Sequence, residues 1–433
     1  MSNSYDVAVV GAGVAGCIVS SLLAKRGFKV CIMDAKGAKE VGSKVCGDAL
    51  IGRGLDLLGF EPPASVITNI ALAIRYHAPS IEPITLKTKI FLLDRSKFGQ
   101  FLLQRAMDDG AVFMEKCRVT TPILEDRKVA GVNARFTDAK AEFHAKLVID
   151  ASGVSEVIRR RLPKDWWVSK TVERRNIALC YREVRRLRRE KVDSKICEVF
   201  HDRGIIPSGY YWIFPKNDNL VNVGLGTRLT TIDHDIKGRL YRHVLSNSIF
   251  KDSEILAQGF GLVPVGPPIG CFLASGFIAI GDAAGQVSPF TADGMRPSII
   301  SAHIAAEAIA KAEGFDLDRL WRYNIDFMRE LGKRHAGLAA FGSFFEGLDY
   351  GSVRSLLSIF GGNAYDFGDF EDFKIGPTLV FKSSLRGFGR LGLMLKEYKV
   401  VKSARSLYTE YPTSPSGFLE WSERAERFWK VHC

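Results

Sequence analysis

A short strand followed by a glycine-rich turn constrains the fold of this chain more than any other feature. Residues 5–10 form an apolar run rich in β-branched side chains, which predicts a buried parallel strand. The turn after it is Gly11-Ala12-Gly13-Val14-Ala15-Gly16. The first glycine allows the tight turn, the second lets backbone N–H groups approach a pyrophosphate, and the third lets the next helix pack closely on the sheet. This segment therefore predicts the start of a dinucleotide site.

The sequence that follows completes a βαβ unit. A helix is predicted from Val14 to Lys25 with a cap at Gly27, and a second strand is predicted over residues 28–33. Asp34 follows that strand, 18 residues after Gly16, where a carboxylate can accept hydrogen bonds from an adenosine ribose. The complete unit favours a dinucleotide site over a glycine-rich turn without a ligand.

Size and charge narrow the class of protein. The chain has 433 residues, enough for two or three domains, and its 46% hydrophobic content supports a large core. A net charge of +12 favours an anionic partner, such as a phosphate-bearing ligand, an anionic membrane surface or nucleic acid. No segment resembles a nucleic-acid module. We therefore expect one of the first two partners and no nucleic acid.

The cysteines and the most apolar window indicate the compartment. The eight cysteines are scattered without metal-ligand spacing, so we expect a reducing cytosol and no metal site. The first predicted strand opens the chain, which leaves no room for a signal peptide. Residues 260–281 contain Pro264, Pro267 and Pro268, which interrupt any spanning helix. A cytoplasmic protein without a transmembrane segment is expected.

Two further segments could face the ligand. A strand over residues 276–280 ends in Gly281-Asp282, where an acid can bind a ribityl hydroxyl, and Gly294-Met295 opens a helix whose N-terminus can stabilise a reduced isoalloxazine. The glycine-flanked loop 42–49 carries Cys46. This cysteine could be a reactive group that faces the cofactor, or a small buried hydrophobe.

The middle of the chain is predicted to be rich in antiparallel strands. Residues 172–226 alternate in this way, and the segment 207–215 is the richest aromatic cluster. Tyr210, Trp212 and Phe214 share one face of their strand, as a ligand wall or a core strand would require. A basic run over Arg182–Lys191 is either a solvated face or a surface attracted to anionic headgroups.

These motifs together carry a family resemblance. The Gly11–Gly16 turn with Asp34, the Arg95 segment and Gly281-Asp282 resemble flavoproteins of the p-hydroxybenzoate hydroxylase type. Within that superfamily, Cys46-Gly47-Asp48 and Pro207-x-x-Tyr210-x-Trp212-x-Phe214-Pro215 resemble the geranylgeranyl reductases. Those enzymes saturate isoprenoid chains of archaeal membrane lipids or of chlorophyll and quinone precursors. The ending Leu407-Tyr-Thr-Glu-Tyr411-Pro-Thr-Ser-Pro415 is similar to archaeal members.

The resemblance implies an α/β (α+β) fold with a Rossmann-like FAD-binding domain, an inserted antiparallel-sheet substrate domain and a helical C-terminal region. The FAD-binding domain is expected to be discontinuous. The expected division is residues 1–75, 93–165 and 260–330 for FAD, residues 76–92 and 166–259 for the substrate, and residues 331–433 for the helical region.

The resemblance also implies the site residues. The FAD contacts are expected at Gly11, Gly13, Ala15, Gly16, Asp34, Cys46, Gly47, Asp48, Ala49, Arg95, Val119, Asp282, Gly294 and Met295. The lipid tunnel is expected at Tyr210, Trp212, Phe214 and Pro215. The sequence departs from the family before the last helix of the FAD-binding part, where Thr291-Ala-Asp293-Gly294 replaces the usual glycines.

The implied reaction is hydrogenation of the carbon–carbon double bonds of geranylgeranyl chains, most naturally in archaeal membrane lipid precursors. An isolated alkene is a poor hydride acceptor, so it needs an acid on one face and a dry, aromatic pocket that stabilises positive charge. Cys46 is the candidate acid or positioning group, although a thiol of pKa about 8.5 is a weak acid. Tyr210 and Trp212 are the candidate cation stabilisers.

The implied partners are an isoprenoid lipid, an external electron donor (NAD(P)H or ferredoxin) and an anionic membrane contacted peripherally. Two other functions share these motifs: a flavin-dependent monooxygenase or halogenase acting on a hydrophobic substrate, and a non-catalytic lipid-binding flavoprotein. The halogenase box has tryptophan at the position of Tyr210 and isoleucine at that of Phe214, and this chain has neither.

Overall fold

Two β-sheets and a set of helices make up the computed structural model, which describes residues 4–52, 54–231, 235–358, 360, 362–374 and 388–432. The strands in chain order are β1 Ser4–Val10, β2 Val30–Met33, β3 Ala49–Ile51, β4 Ile67–His77, β5 Ile84–Leu93, β6 Val112–Met114, β7 Arg118–Glu125, β8 Lys128–Arg135, β9 Lys140–Asp150, β10 Ile177–Arg186, β11 Ile196–Phe200, β12 Gly209–Pro215, β13 Leu220–Arg228, β14 Glu254–Pro264, β15 Leu273–Ala274, β16 Phe277–Ala279 and β17 Ala364–Asp366. The α-helices are α1 Val14–Ala24, α2 Arg95–Asp108, α3 Ile236–Arg239, α4 Met295–Lys311, α5 Leu317–Leu320, α6 Arg322–Phe327, α7 Lys333–Gly347, α8 Tyr350–Leu357, α9 Phe367–Glu371, α10 Phe388–Thr409 and α11 Phe418–His432.

The first sheet contains the predicted dinucleotide unit. Its order is β15-β16-β9-β1-β2-β6, and β1 pairs in parallel with β2 and with β9. Residues 7–10 of β1 are buried, which explains their unbroken apolar run. Strands β7 and β8 pair antiparallel, and so do β8 and β9. The carboxyl ends of the parallel strands share one edge, where ligands bind in such sheets.

The second sheet holds the aromatic cluster. Its order is β14-β10-β13-β12-β11-β4-β5-β17, and β3 pairs with β5. The pairs β10/β13, β12/β13 and β11/β12 are antiparallel, as the alternation over residues 172–226 predicts. Two pairs are parallel: β11 with β4, and β17 with β5. The mixed α/β fold is therefore confirmed.

The expected division at residue 75 falls inside a strand, because residues 67–75 lie in β4 of the second sheet. The register of β4 and β5 runs from Ile67 opposite Leu93 to Tyr76 opposite Ile84, which makes the two strands one continuous hairpin. Likewise, the predicted boundary at 259/260 falls inside β14, which pairs with β10. Alternation identifies a strand but not the sheet it joins, since both sheets bury apolar side chains.

Residues 112–125 form two strands, β6 and β7, and not one. Lys116 between them has a φ of +52°, which turns the chain out of the first strand direction. Helix α1 ends one residue before its predicted end, α2 begins at Arg95, and α4 begins at Met295 as predicted. These helices follow clear glycine or cap signals, such as Asp94, whose side chain accepts a hydrogen bond from the Lys97 N–H.

The C-terminal helices pack onto the rest of the chain. Helix α10 packs along α7, and β17 adds one short strand to the second sheet, so the described part of residues 331–433 is mostly helical. The Tyr408 hydroxyl donates to the Pro268 carbonyl at 2.9 Å and the Tyr411 hydroxyl donates to the Gly270 carbonyl at 2.8 Å. In the part of the chain that the structure describes, no helix has both the length and the apolar character needed to cross a bilayer.

Candidate active site

A cavity of about 910 Å³ is lined by residues of both sheets and of the C-terminal helices. It brings together most of the residues that the sequence predicts. The predicted residues on its wall are Gly11, Gly13, Ala15, Asp34, Cys46, Gly47, Asp48, Ala49, Arg95, Tyr210, Trp212, Phe214, Asp282, Gly294 and Met295. Three predicted residues, Gly16, Val119 and Pro215, are not on this wall.

The three residues off the wall have other surroundings. A Cβ on Gly16 would collide with the Gly11 carbonyl oxygen, so this glycine serves helix packing, as predicted. Val119 is buried in the core of the first sheet. The Pro215 carbonyl accepts a hydrogen bond from the Asn69 side chain at 2.8 Å, at the end of β12.

The glycine turn leaves room for a phosphate. Gly11 has a φ of +106°, and a Cβ there would meet the Ala151 carbonyl of the neighbouring strand. A Cβ on Gly13 would meet nothing within 4 Å, so this glycine faces open space in the cavity wall. The Asp34 carboxylate accepts from the Ala12 N–H at 2.8 Å, which ties the turn to the end of β2. This cradle fits the pyrophosphate of a dinucleotide.

Arg95 supports the same conclusion by its lack of partners. It opens α2, is 9% exposed, and its Nε and Nη1 atoms have no hydrogen-bond partner among the described residues. A buried guanidinium without a partner is costly, and an anionic ligand would offset that cost. Arg95 lies on the same cavity wall as the glycine turn, so the residues present fit FAD.

Asp282 lies at the end of the strand predicted to face the ligand. Its carboxylate pairs with Lys44 at 2.6 Å, and this negative charge raises the pKa of the Lys44 ammonium. Lys44 lies in the loop 42–49 that carries Cys46, while Asp282 follows β16 in the first sheet. The ion pair therefore joins the cysteine loop to the predicted cofactor edge.

The departure at Thr291–Asp293 is accommodated by contacts within the protein. Asp293 accepts from the Met295 N–H at 3.1 Å, which caps the start of α4, and pairs with Arg296 at 3.3 Å. Arg296 in turn donates to both carboxylate oxygens of Glu371 in α9. Burial raises the pKa of the Asp293 carboxyl. Asp293 and Arg296 thus tie α4, whose N-terminus is predicted to face the cofactor, to the C-terminal region.

The cysteine loop is held by a buried polar network. The Cys46 Sγ accepts from the Asp48 N–H at 3.0 Å, and the Asp48 carboxylate accepts from Lys216 at 2.8 Å and from Asn222 at 2.9 Å. Asn222 also donates to the Cys46 carbonyl at 2.9 Å. Burial, followed by the charge of Asp48, raises the pKa of the Cys46 thiol, which keeps it protonated at neutral pH. Asp48 lines the cavity, but its carboxylate binds protein groups.

The aromatic residues of β12 share one face, as predicted. The Tyr210 hydroxyl donates to the Thr291 carbonyl at 2.8 Å, and the Trp212 Nε1–H donates to Asn222 at 3.0 Å. The ring centroids of Trp212 and Phe214 are 6.2 Å apart. Because the Tyr210 hydroxyl and the Trp212 Nε1–H are bound to other protein groups, the faces of the two rings line the cavity. Asn222 thereby links the aromatic residues to the cysteine loop.

Sequence reasoning missed several cavity residues. They are Tyr76, Cys180, Arg182, Phe341, Phe345, Leu356, Leu357, Met394 and Glu397. Lys216 and Asn222, which hold the cysteine loop, were missed as well. The signal for Asn222 is an amide in the apolar run of β13, but the helical residues carry no motif. Their role depends on how the C-terminal helices pack.

Comparisons with known proteins agree with this arrangement. Residues 176–263 match the geranylgeranyl reductase catalytic domain, and residues 6–164 match the lycopene cyclase protein family. A digeranylgeranylglycerophospholipid reductase from Sulfolobus acidocaldarius is 29% identical over 98% of this chain and 96% of its own. One from Thermoplasma volcanium is 31% identical over 72% of this chain and 79% of its own. A solved geranylgeranyl bacteriochlorophyll reductase-like protein from Thermoplasma acidophilum has a TM-score of 0.81 at 24% identity, covering 92% of this chain and 99% of that chain.

Proposed function

Since this chain belongs to the digeranylgeranylglycerophospholipid reductase family, we propose that the cavity described above is where it hydrogenates geranylgeranyl chains of archaeal membrane lipid precursors. The protein is a flavin-dependent oxidoreductase that acts on carbon–carbon double bonds, with FAD as its cofactor. It uses an isoprenoid lipid and an electron donor. The observation that carries the assignment to this cavity is its continuity from the glycine turn to the aromatic residues of β12.

The residues around the cofactor have distinct tasks. The Gly11–Gly13 turn, Asp34 and Arg95 hold FAD, which when bound supplies a hydride to one carbon of the alkene. Cys46, on the wall of the same cavity, holds a proton on its partly buried thiol. The faces of Tyr210 and Trp212 stabilise positive charge on the alkene, and the apolar walls exclude water. Proton and hydride together saturate one double bond.

The decisive test is anaerobic single turnover. Purified enzyme is reduced with dithionite and mixed with a geranylgeranyl lipid, and mass spectrometry then counts the double bonds that remain. Loss of double bonds with matched flavin reoxidation supports the reductase. Binding without turnover would instead indicate a lipid-binding flavoprotein, and product formation that requires oxygen would indicate a monooxygenase or halogenase.

The donor and the membrane contact are further parts of the proposal. The donor is NAD(P)H or a ferredoxin, and anaerobic bleaching of the flavin by each distinguishes them. Peripheral binding to an anionic membrane is supported by the net charge of +12 and by the exposed Arg186, Arg188 and Arg189. These arginines pair with Glu254 and Asp252, which reduces their free charge.

Vesicle co-sedimentation tests the membrane contact. Attraction of about 1 kcal/mol per basic residue near an anionic surface is screened by salt, so the bound fraction should fall as salt rises. Neutral vesicles are the control. Binding that ignores both lipid charge and salt would contradict an electrostatic contact.

A further inference from the structure

One cavity arginine differs from the rest of the basic run Arg182–Lys191. The Nε and Nη1 atoms of Arg182 are buried and have no hydrogen-bond partner among the described residues, and Arg182 lines the cavity. Arg185 pairs with Glu183 at 2.6 Å, and Arg186 pairs with Glu254 at 3.2 Å. Arg182 therefore presents a positive charge to the cavity that the described protein groups do not neutralise.

The alternation of β10 explains why Arg182 is separate. Residues 178, 180 and 182 line the cavity, whereas Tyr181 and Glu183 point to the opposite face. On that face the Tyr181 hydroxyl donates to Glu183 at 2.8 Å and Arg185 completes the network. The Glu183 carboxylate, although next to Arg182 in the sequence, thus lies on the opposite face of the sheet and does not pair with it.

Arg182 and the aromatic residues lie in one row across the sheet. Trp212 is opposite Gly224 in the register, and Gly224 is opposite Arg182. A Cβ on Gly224 would be 2.5 Å from the Trp212 ring and 2.6 Å from the Arg182 Cβ, so this glycine admits both side chains. Two strand spacings separate the Arg182 and Trp212 backbones, about 10 Å.

The cavity becomes apolar on the other side of Trp212. The next strands contribute Val199, Ile74 and Leu86, and the C-terminal helices contribute Leu356 and Met394. From β12 to β5 is about 14 Å at the usual strand spacing. Along this row of strands the cavity has Arg182 at one end, aromatic rings in the middle and aliphatic side chains at the other end, and the C-terminal segment adds Asp366, Asp369, Lys374 and Glu397 to the lining.

A lipid with an anionic headgroup has the same order of groups along its length, with a charged end followed by an apolar chain. A buried guanidinium without a partner costs free energy, and its planar donors match the oxygens of a phosphate in a bidentate arrangement. We propose that Arg182 binds the phosphate headgroup of the lipid substrate, while the isoprenoid chain passes Trp212 and ends among the C-terminal helices. This inference rests on the proposed function, because it assigns one end of that lipid.

The phosphates of FAD are the alternative anions for Arg182 to bind. The Gly11–Gly13 turn and Arg95 already provide a phosphate cradle at the edge of the first sheet. Arg182 belongs to the second sheet, in the row of Trp212. The two assignments predict different losses when Arg182 is replaced.

The test compares Arg182→Gln with Arg127→Gln, which removes the same charge from an exposed ion pair with Asp165. Equilibrium binding to the FAD-loaded, oxidised enzyme is measured by tryptophan fluorescence with two lipids: digeranylgeranylglyceryl phosphate and the headgroup-free digeranylgeranylglycerol. Arg182→Gln should weaken binding of the phosphate lipid about 10- to 100-fold, the usual range for charged hydrogen bonds, and leave the neutral lipid unchanged. Arg127→Gln should change neither, and Arg182→Lys should recover part of the loss.

Other outcomes overturn the inference. Equal losses for both lipids would make Arg182 a structural residue, and loss of FAD or a shifted flavin potential would assign it to the cofactor. Unchanged binding of the phosphate lipid would remove the headgroup assignment. Turnover of the wild-type enzyme is measured separately, so a protein that binds both lipids but reduces neither would refute the proposed function while the binding data still decide the role of Arg182.

Discussion

Cys46 shows how a weak acid can be placed for proton transfer. Its thiol is partly buried, its pKa is raised, and its loop is fixed through Asp48 and Asn222. A raised pKa keeps the proton on sulfur at neutral pH but makes it harder to release. We therefore expect this proton to reach one alkene carbon together with hydride transfer to the other, so that neither full charge has to form first.

Replacing Cys46 should affect the chemical step selectively. Cys46→Ala should retain FAD and flavin reduction, while reoxidation by the lipid slows by roughly 100- to 10,000-fold, the scale of general-acid catalysis. Anaerobic stopped-flow measures the reoxidation rate, with FAD occupancy determined on the same sample. Cys46→Ser should stay slow if acidity matters and recover if only position does. Wild-type reoxidation in Cys46→Ala would exclude a catalytic role, whereas loss of FAD in both variants would indicate a structural one.

Asp34 has two tasks that the structure allows to be separated. Its carboxylate already accepts from the Ala12 N–H, and it is expected to accept from the adenosine ribose as well. Asp34→Ala should weaken FAD binding by about 1.5–3 kcal/mol, the value of charge-assisted hydrogen bonds. Isothermal titration of the apoprotein with FAD measures the change. Asp6→Ala, at an exposed ion pair with Lys146, is the control, and equal affinity in the two variants would remove Asp34 from the site.

At the scale of elements, a buried ion pair joins the cysteine loop to the second sheet. Lys216 is 7% exposed and follows β12, and its ammonium bonds Asp48 and the Leu93 carbonyl. Removing one partner of a buried pair leaves the other charge uncompensated, which costs about 3–5 kcal/mol. This pair gives the Asp48 carboxylate a structural role in the cavity wall.

Lys216→Met should therefore lower the free energy of unfolding by about 3–5 kcal/mol, as measured by urea denaturation. Lys170→Met, which breaks the exposed pair with Glu426, should cost only about 0–1 kcal/mol. The double variant Asp48→Asn/Lys216→Met should recover part of the loss because no charge is left buried. Equal costs for the Lys216 and Lys170 variants would show that the pair at Asp48 is not buried in solution.

Helix α10 forms part of the far wall of the cavity. Met394 lines the cavity and is buried, while the adjacent Leu395 is 50% exposed. Met394→Trp should obstruct the far end, so turnover of a twenty-carbon chain falls while a ten-carbon chain is still reduced. Leu395→Trp is the control and should change neither rate. If the Met394→Trp variant reduces both chain lengths at the wild-type rates, the isoprenoid chain does not reach α10.

At the scale of the whole molecule, His335 links stability to pH. It lies in α7, is 2% exposed, and burial together with Arg296 and Arg334 lowers its pKa from 6.5 to about 3. The unfolded chain binds a proton below pH 6.5 that the folded chain does not bind until about pH 3. Stability should therefore fall as the pH drops through this window, by about 1.4 kcal/mol for each pH unit.

The acid sensitivity should be traceable to this residue. His335→Leu should flatten the decline of Tm between about pH 6 and about pH 4, the window set by that pKa shift, while His144→Leu at an exposed site should follow the wild type. Differential scanning calorimetry at several pH values measures Tm. A parallel decline in all three proteins would show that other groups dominate the acid transition.

The sequence by itself determined the βαβ unit, the antiparallel middle of the chain and the motif residues on the cavity wall. These features are local: glycines at φ values that other residues avoid, a carboxylate at a strand end, and alternation that places Tyr210, Trp212 and Phe214 on one face. Each depends on backbone geometry within a few residues. The family resemblance rests on the same short segments.

Only the tertiary structure decided which sheet each strand joins and which distant residues complete the cavity. Pairing placed β4 in the second sheet, and helix packing brought Met394 to the far wall. The basic run illustrates the reason most clearly: in the sequence Arg182 and Arg185 are equivalent, yet one faces an open cavity and the other pairs with Glu183. Burial and charge pairing depend on contacts between segments far apart in the chain, and no local pattern contains that information.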